Sequence, residues 1–429
     1  MKQTMLPAVV VGIDTPIGLT IVRDLGREGV PVIGIGRSEQ ALGMASRYLQ
    51  RGLVRPREAQ ALIEQLADLA AQLGPAPDGQ PGAACLFAVS ENDIALLNRH
   101  RERLGGYRVM FPSQVLMDRV LHKDRTYAAA AKVGIRTPRT EQVADLAQLD
   151  AVASTLRYPV VLKWANPHEV GAALHAAGLA LDKTHYCHTQ QELLDYLRPY
   201  ARAGRYPLIQ EYCPGYGLGQ FVLMKDGVPH YTFQHRRMHE WPPEGGFSSM
   251  CVSLPPDSHA ALMAQSVALL RELEWEGIAM VEYRHDPETG ESALMEINGR
   301  FWGSLPLAYH AGARFPSMMV RLFGLGQDIA AAPYRGGVRC RYMLPETKRL
   351  LRILLAPHRI ADKKLHFRPL PELFHYLLDF LRPGMRYYVL ELKDPGPFLS
   401  DVWQMLRKAG GMVAARLPRL SRRSAAPGK

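Results

Sequence analysis

Two carboxylates, an amide and a guanidinium recur at alternate positions in two short apolar runs: Glu282 in IAMVEYRHD (278–286), and Glu296, Asn298 and Arg300 in SALMEINGR (292–300). Alternate residues of a strand share a face, so Glu296, Asn298 and Arg300 are expected on one side of one strand, with Glu282 on its antiparallel neighbour. Carboxylates crowded among Met280, Val281, Leu294 and Met295 repel one another and lose hydration unless a cation lies between them. Magnesium suits that place: it takes oxygen from a few carboxylates and completes its shell with phosphate and water. Solvated edge charges, or salt bridges to arginines, are the alternative for such a pair. Arg300 adds a guanidinium able to grip a phosphate or carboxylate through two donors.

The elements that must carry these groups can be read from periodicity. The turn PETG joins the two runs, and an apolar-periodic helix over 259–275 precedes them. FVLMKDGVPHYTF (221–233) predicts a hairpin turning at Asp226-Gly227. PLIQEYC (207–213) and YPVVLKW (from 158, with Lys163) predict two further strands; Lys123 opens a helix that Gly134 and Pro138 bring to an end. At the N-terminus PAVVVGID (7–14), a helix over 19–29 and a strand over 31–36 form a βαβ start, which favours a parallel sheet. A helix over 58–73 and a strand over 84–89 follow, and Ser90, Glu91, Asn92 and Asp93 sit where that strand ends, a position that lines ligand crevices in open α/β sheets. The spacing from Gly12 to Gly18 is not the dinucleotide fingerprint, so these glycines are expected to serve a turn, and a dehydrogenase reading is disfavoured.

With 429 residues the chain should divide into two or three domains. Its 47% hydrophobic and 22% charged composition is that of a globular protein. Five cysteines at wide spacing form no metal-finger or CxxC pattern, which suits a reducing cytoplasm. No run approaches the roughly 18 to 20 apolar residues that span a bilayer. Net charge is +11, with seven of the bases in the last 29 residues against one acid, Asp401. KRLLRILLAPHRIADKKL (348–365) reads as a basic amphipathic helix, and FHYLLDFLRPG and DVWQMLRKAGGMVAARLPRL are similar. Such segments pack on the body, bind a partner or lie on an anionic membrane surface. Nucleic acid is not expected, because Phe398 and Trp403 are not interleaved with the tail arginines. The tail from Ser421 is expected to be disordered.

The order of these parts resembles the ATP-grasp superfamily: Lys123 before GIRTP (134–138), Lys163 in YPVVLK, IQEY (209–212), then VEYR and MEINGR separated by a turn. The resemblance covers about 115–325, and SRY (46–48) and SEND (90–93) further resemble an uncharacterised carboxylate-amine ligase-like group. It implies an α/β architecture: a Rossmann-like parallel βαβ domain (1–115), an ATP-grasp domain of two α+β subdomains (116–328), and a basic, mainly helical extension (329–429). It further implies that Lys123 and Lys163 neutralise ATP phosphates, that backbone groups of Gln210, Glu211 and Tyr212 line the adenine, and that Glu282, Glu296 and Asn298 bind Mg2+ or Mn2+. Arg300 and Lys163 would act on the transferred phosphoryl group. QHRRMHEWPPEGGFSS (234–249) would form a loop over the site, bringing Arg236 or Arg237 and the Gly245-Gly246 amides to phosphate.

The implied reaction couples a small-molecule carboxylate, through an acyl phosphate, to an amine or similar nucleophile, releasing ADP and phosphate. A nucleotide-responsive regulator without turnover is the alternative. One departure stands out: WANPHEVGAALHAAGLA (164–180) replaces the glycine-rich loop usual after the second lysine, leaving Lys183, Ser248 and Ser249 as helpers. His168, His175 and His239 are expected to be loop histidines. A cytoplasmic protein, with a homodimer and peripheral membrane contact among its associations, completes the expectation.

Overall fold

The computed structural model describes residues 6–416 apart from 77, 165, 166, 183 and 331, with backbone alone at 167–169 and 408–416. The candidate helper Lys183 and the tail from Ser421 therefore lie outside the described residues, as does the side chain of His168.

The chain begins as the pattern of alternating apolar strands and amphipathic helices dictates: β1 (Ala8–Val11), α1 (Pro16–Arg27), β2 (Val32–Gly36), β3 (Arg51–Val54), α2 (Ala59–Leu73), β4 (Ala84–Ala88), α3 (Glu91–Arg99) and β5 (Tyr107–Val109). The strands form a parallel five-stranded sheet in the order β3-β2-β1-β4-β5. Gly18 is where α1 touches the preceding turn: a Cβ there would stand 2.3 Å from the Gly12 carbonyl oxygen, so the glycine serves close packing. SEND caps a helix and ties domains together. Ser90 accepts the Asp93 N–H at the start of α3, Asp93 pairs with Arg55, and Glu91 turns out to a later strand.

Helices α4 (Gln114–Leu121) and α5 (Lys123–Lys132) lead into the second sheet, built from β6 (Thr140–Glu141), α6 (Leu146–Ala153), β7 (Val160–Lys163), α7 (Pro167–Ala176), β8 (His185–Cys187), α8 (Gln190–Leu197) and β9 (Leu208–Glu211). Its order is β6-β9-β7-β8, antiparallel throughout, over a core of Leu149, Leu162, Trp164, Leu193 and Ile209. The atypical stretch after Lys163 is thus largely the helix α7.

The third sheet has seven strands. β10 (Tyr216–Lys225), β11 (Val228–Trp241), β12 (Phe247–Ser253), α9 (Ala260–Glu272), β13 (Gly277–His285) and β14 (Ser292–Asn298) are followed by α10 (Leu305–Ala311) and α11 (Phe315–Met319). The C-terminal segment then supplies β15 (Arg339–Arg341), α12 (Met343–Leu355), α13 (Pro369–Leu378), β16 (Met385–Tyr387) and α14 (Gly396–Arg416). The order is β14-β13-β10-β11-β12-β15-β16, so the extension, mainly helical, also contributes two strands to the large sheet.

One face of this sheet packs Phe221, Phe233, Met280 and Cys251 against Trp302, α1 and α10; the other packs Val222, Val281 and Tyr283 against Trp275 and α9. Asp394 locks the extension to the first sheet: its buried carboxylate accepts from Arg23 (2.9 Å), the Ser46 hydroxyl (2.7 Å) and the Arg47 N–H (2.9 Å). The SRY motif is explained by that clasp. The helix expected over 348–365 is instead α12, which ends at Leu355 ahead of Pro357.

Candidate active site

Glu282 and Glu296 are directly opposite on β13 and β14, and Asn298 lies two residues further along the same strand. The Asn298 amide donates to Glu296 Oε1 at 2.9 Å, which leaves the amide oxygen available as an acceptor. Asn298 is buried, Glu282 is largely buried, and Glu296 is open to the cleft, more exposed than its apolar neighbours implied.

Burial pushes the Glu282 carboxyl up to about 7, with Glu296 and Glu240 adding to the rise and Arg237 opposing it. Desolvation by the cleft walls acts in the same direction on Glu296, although its surface is open to the cleft, but Asn298, Arg237, Lys123 and Lys163 outweigh it and hold that carboxyl below its usual range. The two acids are thereby driven apart.

Arg237 meets Glu282 from two strands away, in a direct ion pair across β10. Glycine permits this: a Cβ on Gly217 would stand 2.6 Å from Arg237 Cδ and 2.9 Å from Glu240 Oε1. The same guanidinium donates to the Gly246 carbonyl at 3.0 Å and lies 3.5 Å from Glu240, which also approaches Arg284 at 3.6 Å. Burial disfavours the charged guanidinium, yet Glu282, Glu240 and Glu296 keep it charged.

Lys163 ends β7 in the second sheet and faces these acids across the cleft. Burial lowers its pKa and Lys123, at the start of α5, lowers it further, while Glu296 and Glu282 pull it back up. Two lysines, two carboxylates and Arg237, drawn from both sheets and from α5, therefore feel one another's charge, with the Asn298 amide bonded among them.

Other expected residues sit elsewhere. Arg300 lies just beyond the end of β14, so strand alternation no longer aims it; its Nε donates to Glu91 at 2.9 Å, linking the site to the first domain. Arg236 points away from Arg237 and stacks on Tyr216 at 4.0 Å. The Gln210 side chain is buried beneath the small sheet, donating to Tyr127 (3.2 Å) and Thr140 (3.1 Å), and the Glu211 carboxylate accepts from Arg136 and from the Arg139 N–H. Tyr212 reaches the extension through a 2.9 Å bond to Asp362.

The segment 234–249 is not a loop. β11 runs on to Trp241, β12 begins at Phe247, and a turn at 242–246 remains, in which the Gly245 N–H is already bonded to Pro242. His239 is consequently a strand residue, 2.5 Å from Glu346 of α12, which also takes the Ser249 hydroxyl at 2.7 Å. Ser248 is buried beside the Cys251 and Tyr388 cluster. His175 lies in α7.

Sequence reasoning did not single out His235. It is buried over Gly219, in the same cross-strand row as Glu282, with neither ring nitrogen hydrogen-bonded among the described residues. The signal was available as glycines at 215, 217 and 219, a period of two that clears one face of a strand.

A hard cation fits the carboxylate set. It offers three oxygen-bearing side chains, while among the described residues no three acidic, imidazole or thiol groups converge to hold a metal unaided. That leaves coordination positions for phosphate and water, which is how magnesium is commonly held.

No family model matches the chain. The structure aligns with the L-amino acid ligase of Bacillus licheniformis at 16% identity and a TM-score of 0.53, covering 74% of each chain. The fold is the ATP-grasp fold. An ADP complex of N5-carboxyaminoimidazole ribonucleotide synthetase shares this ATP-grasp architecture at 15% identity and a TM-score of 0.56, covering 79% of this chain and 82% of the other. So does the biotin carboxylase domain of Hydrogenobacter thermophilus 2-oxoglutarate carboxylase, solved with MgADP and bicarbonate, at 16% identity and a TM-score of 0.57, over 78% and 73%.

In sequence, the N-terminal section of the carbamoyl phosphate synthase large chain of Methanopyrus kandleri is 22% identical over 301 residues, 68% of this chain. The chain spans about half the length of that curated relative. Among the described residues no helix is long and apolar enough to cross a membrane.

Proposed function

We propose that this chain is an ATP- and magnesium-dependent ligase that converts a small-molecule carboxylate to an acyl phosphate and passes the acyl group to an amine or similar nucleophile, releasing ADP and phosphate. The observation that carries the reading is the opposed pair Glu282 and Glu296, with Asn298, facing Lys163 and Lys123 across the cleft between two sheets. The ADP complexes of two structural neighbours, a synthetase and a biotin carboxylase domain, and the L-amino acid ligase named for a third support it.

Glu282, Glu296 and the Asn298 oxygen would hold Mg2+ or Mn2+, which when bound supplies charge neutralisation for the triphosphate. Lys123 and Lys163 place compact positive charges on the opposite wall, suited to phosphate oxygens. The backbone of Gln210 to Tyr212, at the end of β9, is the proposed adenine edge. Arg237 neutralises Glu282 in the free protein and can turn to the phosphoryl oxygens once Glu282 has another cation. Arg300, held by Glu91, would read the acceptor side, between the proposed 1–115 domain and the proposed grasp domain (116–328), which the proposed extension (329–429) follows in sequence. Bringing the two sheets together would exclude water that otherwise hydrolyses an acyl phosphate.

The test is a panel of acid and amine pairs assayed for ADP and phosphate. A pair-dependent release that is lost in Lys163→Met is expected. Nucleotide binding without turnover over a broad panel, or AMP and pyrophosphate as products, would overturn the proposal.

A further inference from the structure

The surface of the C-terminal extension is apolar and basic at once. Of 21 exposed large hydrophobic side chains among the described residues, 14 fall between Leu344 and Leu406. Along α13 they form one stripe, Leu370, Phe374 and Leu377, at the spacing of a helical face, which Leu381 continues in the turn that follows, and α13 has no buried residue. That is the reverse of a core-facing helix, since Leu370 and Leu381 are 77% and 79% exposed. The neighbouring α12 buries Leu350 and Ile353 yet turns Leu344, Leu351 and Leu355 outward.

Charge follows the same division. Between residues 344 and 407 nine Lys and Arg residues are exposed, and none of the seven acids there is. Glu346, Asp362, Asp379 and Asp394 are buried inside the molecule, and Glu372 is taken by Arg349 at 2.8 Å. Lys348 stands within the α12 stripe, and Arg368 and Arg382 flank the two ends of α13.

We propose that α12 and α13 form a docking face for an anionic lipid bilayer, with the leucines and Phe374 entering the acyl boundary and the surrounding bases meeting the headgroups. The exposed stripe of three leucines and Phe374 along α13 and the turn that follows it carries the argument for lipid. Nucleic acid would call for stacking rings and a basic groove, and an acidic protein partner would leave the leucines without a counterpart. Long basic side chains can lay their stems along apolar surface while their heads reach phosphate. Apolar insertion and electrostatic attraction together give the two signals that stable peripheral binding needs. The sequence continues the same way, with no acid after Asp401 and seven bases from Arg407 onward.

Flotation of the full chain with vesicles of phosphatidylcholine, with and without phosphatidylglycerol, tests this. Binding to the anionic vesicles alone is expected, weakened by salt. It should fall at least about tenfold in Phe374→Glu/Leu377→Glu and in Lys348→Glu/Arg368→Glu. Circular dichroism and nucleotide titration identify variants that remain folded. No flotation with anionic vesicles would overturn the proposal, as would flotation unchanged in both variants. So would a dimer in sedimentation velocity that Phe374→Glu/Leu377→Glu dissociates while the native chain ignores vesicles; the face would then join two copies.

Discussion

Arg237 reaches Glu282 by lying over Gly217, the residue of the intervening strand whose missing side chain leaves room for it. An arginine on β11 thereby serves a carboxylate on β13, and the glycine between them is part of the site.

Gly217→Ala puts a methyl group where Arg237 Cδ now lies, 2.6 Å away. The arginine must leave Glu282, whose buried carboxylate then lacks its cation. Turnover should fall about a hundredfold, comparable to the loss of one preorganised electrostatic contact, while the melting temperature changes by a few degrees at most. Steady-state rates beside thermal unfolding check this. A fully active alanine variant would show that the contact across β10 is dispensable.

Glu296→Gln removes one proposed metal ligand but preserves shape and the acceptor for Asn298. Nucleotide affinity measured by calorimetry should lose most of its dependence on magnesium, a change of about 2 to 3 kcal/mol. Affinity in the absence of magnesium should hold or improve slightly. If the two proteins respond identically to magnesium, the ion does not bind there.

Asp394→Ala should destabilise the whole chain. Arg23, almost fully buried, would lose its 2.9 Å carboxylate partner and keep Glu391 at 3.4 Å and the backbone carbonyls of residues 389 and 394. Removing one member of such a buried pair costs about 3 to 5 kcal/mol. Urea denaturation should show that loss; a shift within error would mean the extension is held by its two strands alone.

Acid should weaken the fold through His310. Burial depresses its pKa from 6.5 to about 3, and its Nε2 lies 3.2 Å from the Tyr387 carbonyl. The folded state thus binds its proton less readily than the unfolded chain. Its stabilising effect is complete above pH 6.5 and is lost progressively as pH falls toward 3, by up to about 1.4 kcal/mol per pH unit. Unfolding free energy measured at pH 7.5 and pH 5.5 should differ less in His310→Gln than in the native chain. An equal difference would assign the acid sensitivity to other groups.

Much of this was legible in the sequence where burial and periodicity agree. Glu282, Glu296 and Asn298 could be placed because polar and charged residues at a period of two inside apolar runs mark one strand face turned to a site rather than to the core. Arg300 obeyed the same count but fell past the last paired residue, where alternation stops fixing direction. The stretch 234–249 looked like a loop because its His, Arg and Glu residues are polar. Those side chains satisfy one another across the sheet and against α12, a tertiary circumstance that local composition does not express. β15, three residues long, owes its existence to strands on both sides and to Tyr388 bonding back to Arg341. Neither the Asp394 clasp nor the glycine path under Arg237 can be read without knowing which distant segments meet.

The central claim is that a carboxylate attacks the terminal phosphoryl group of ATP. For the substrate pair found by the panel, the acid is labelled with 18O in its carboxylate and the released phosphate is examined by 31P NMR. The account predicts one labelled oxygen in inorganic phosphate, with ADP as the other product. Unlabelled phosphate, or label in AMP, would contradict it.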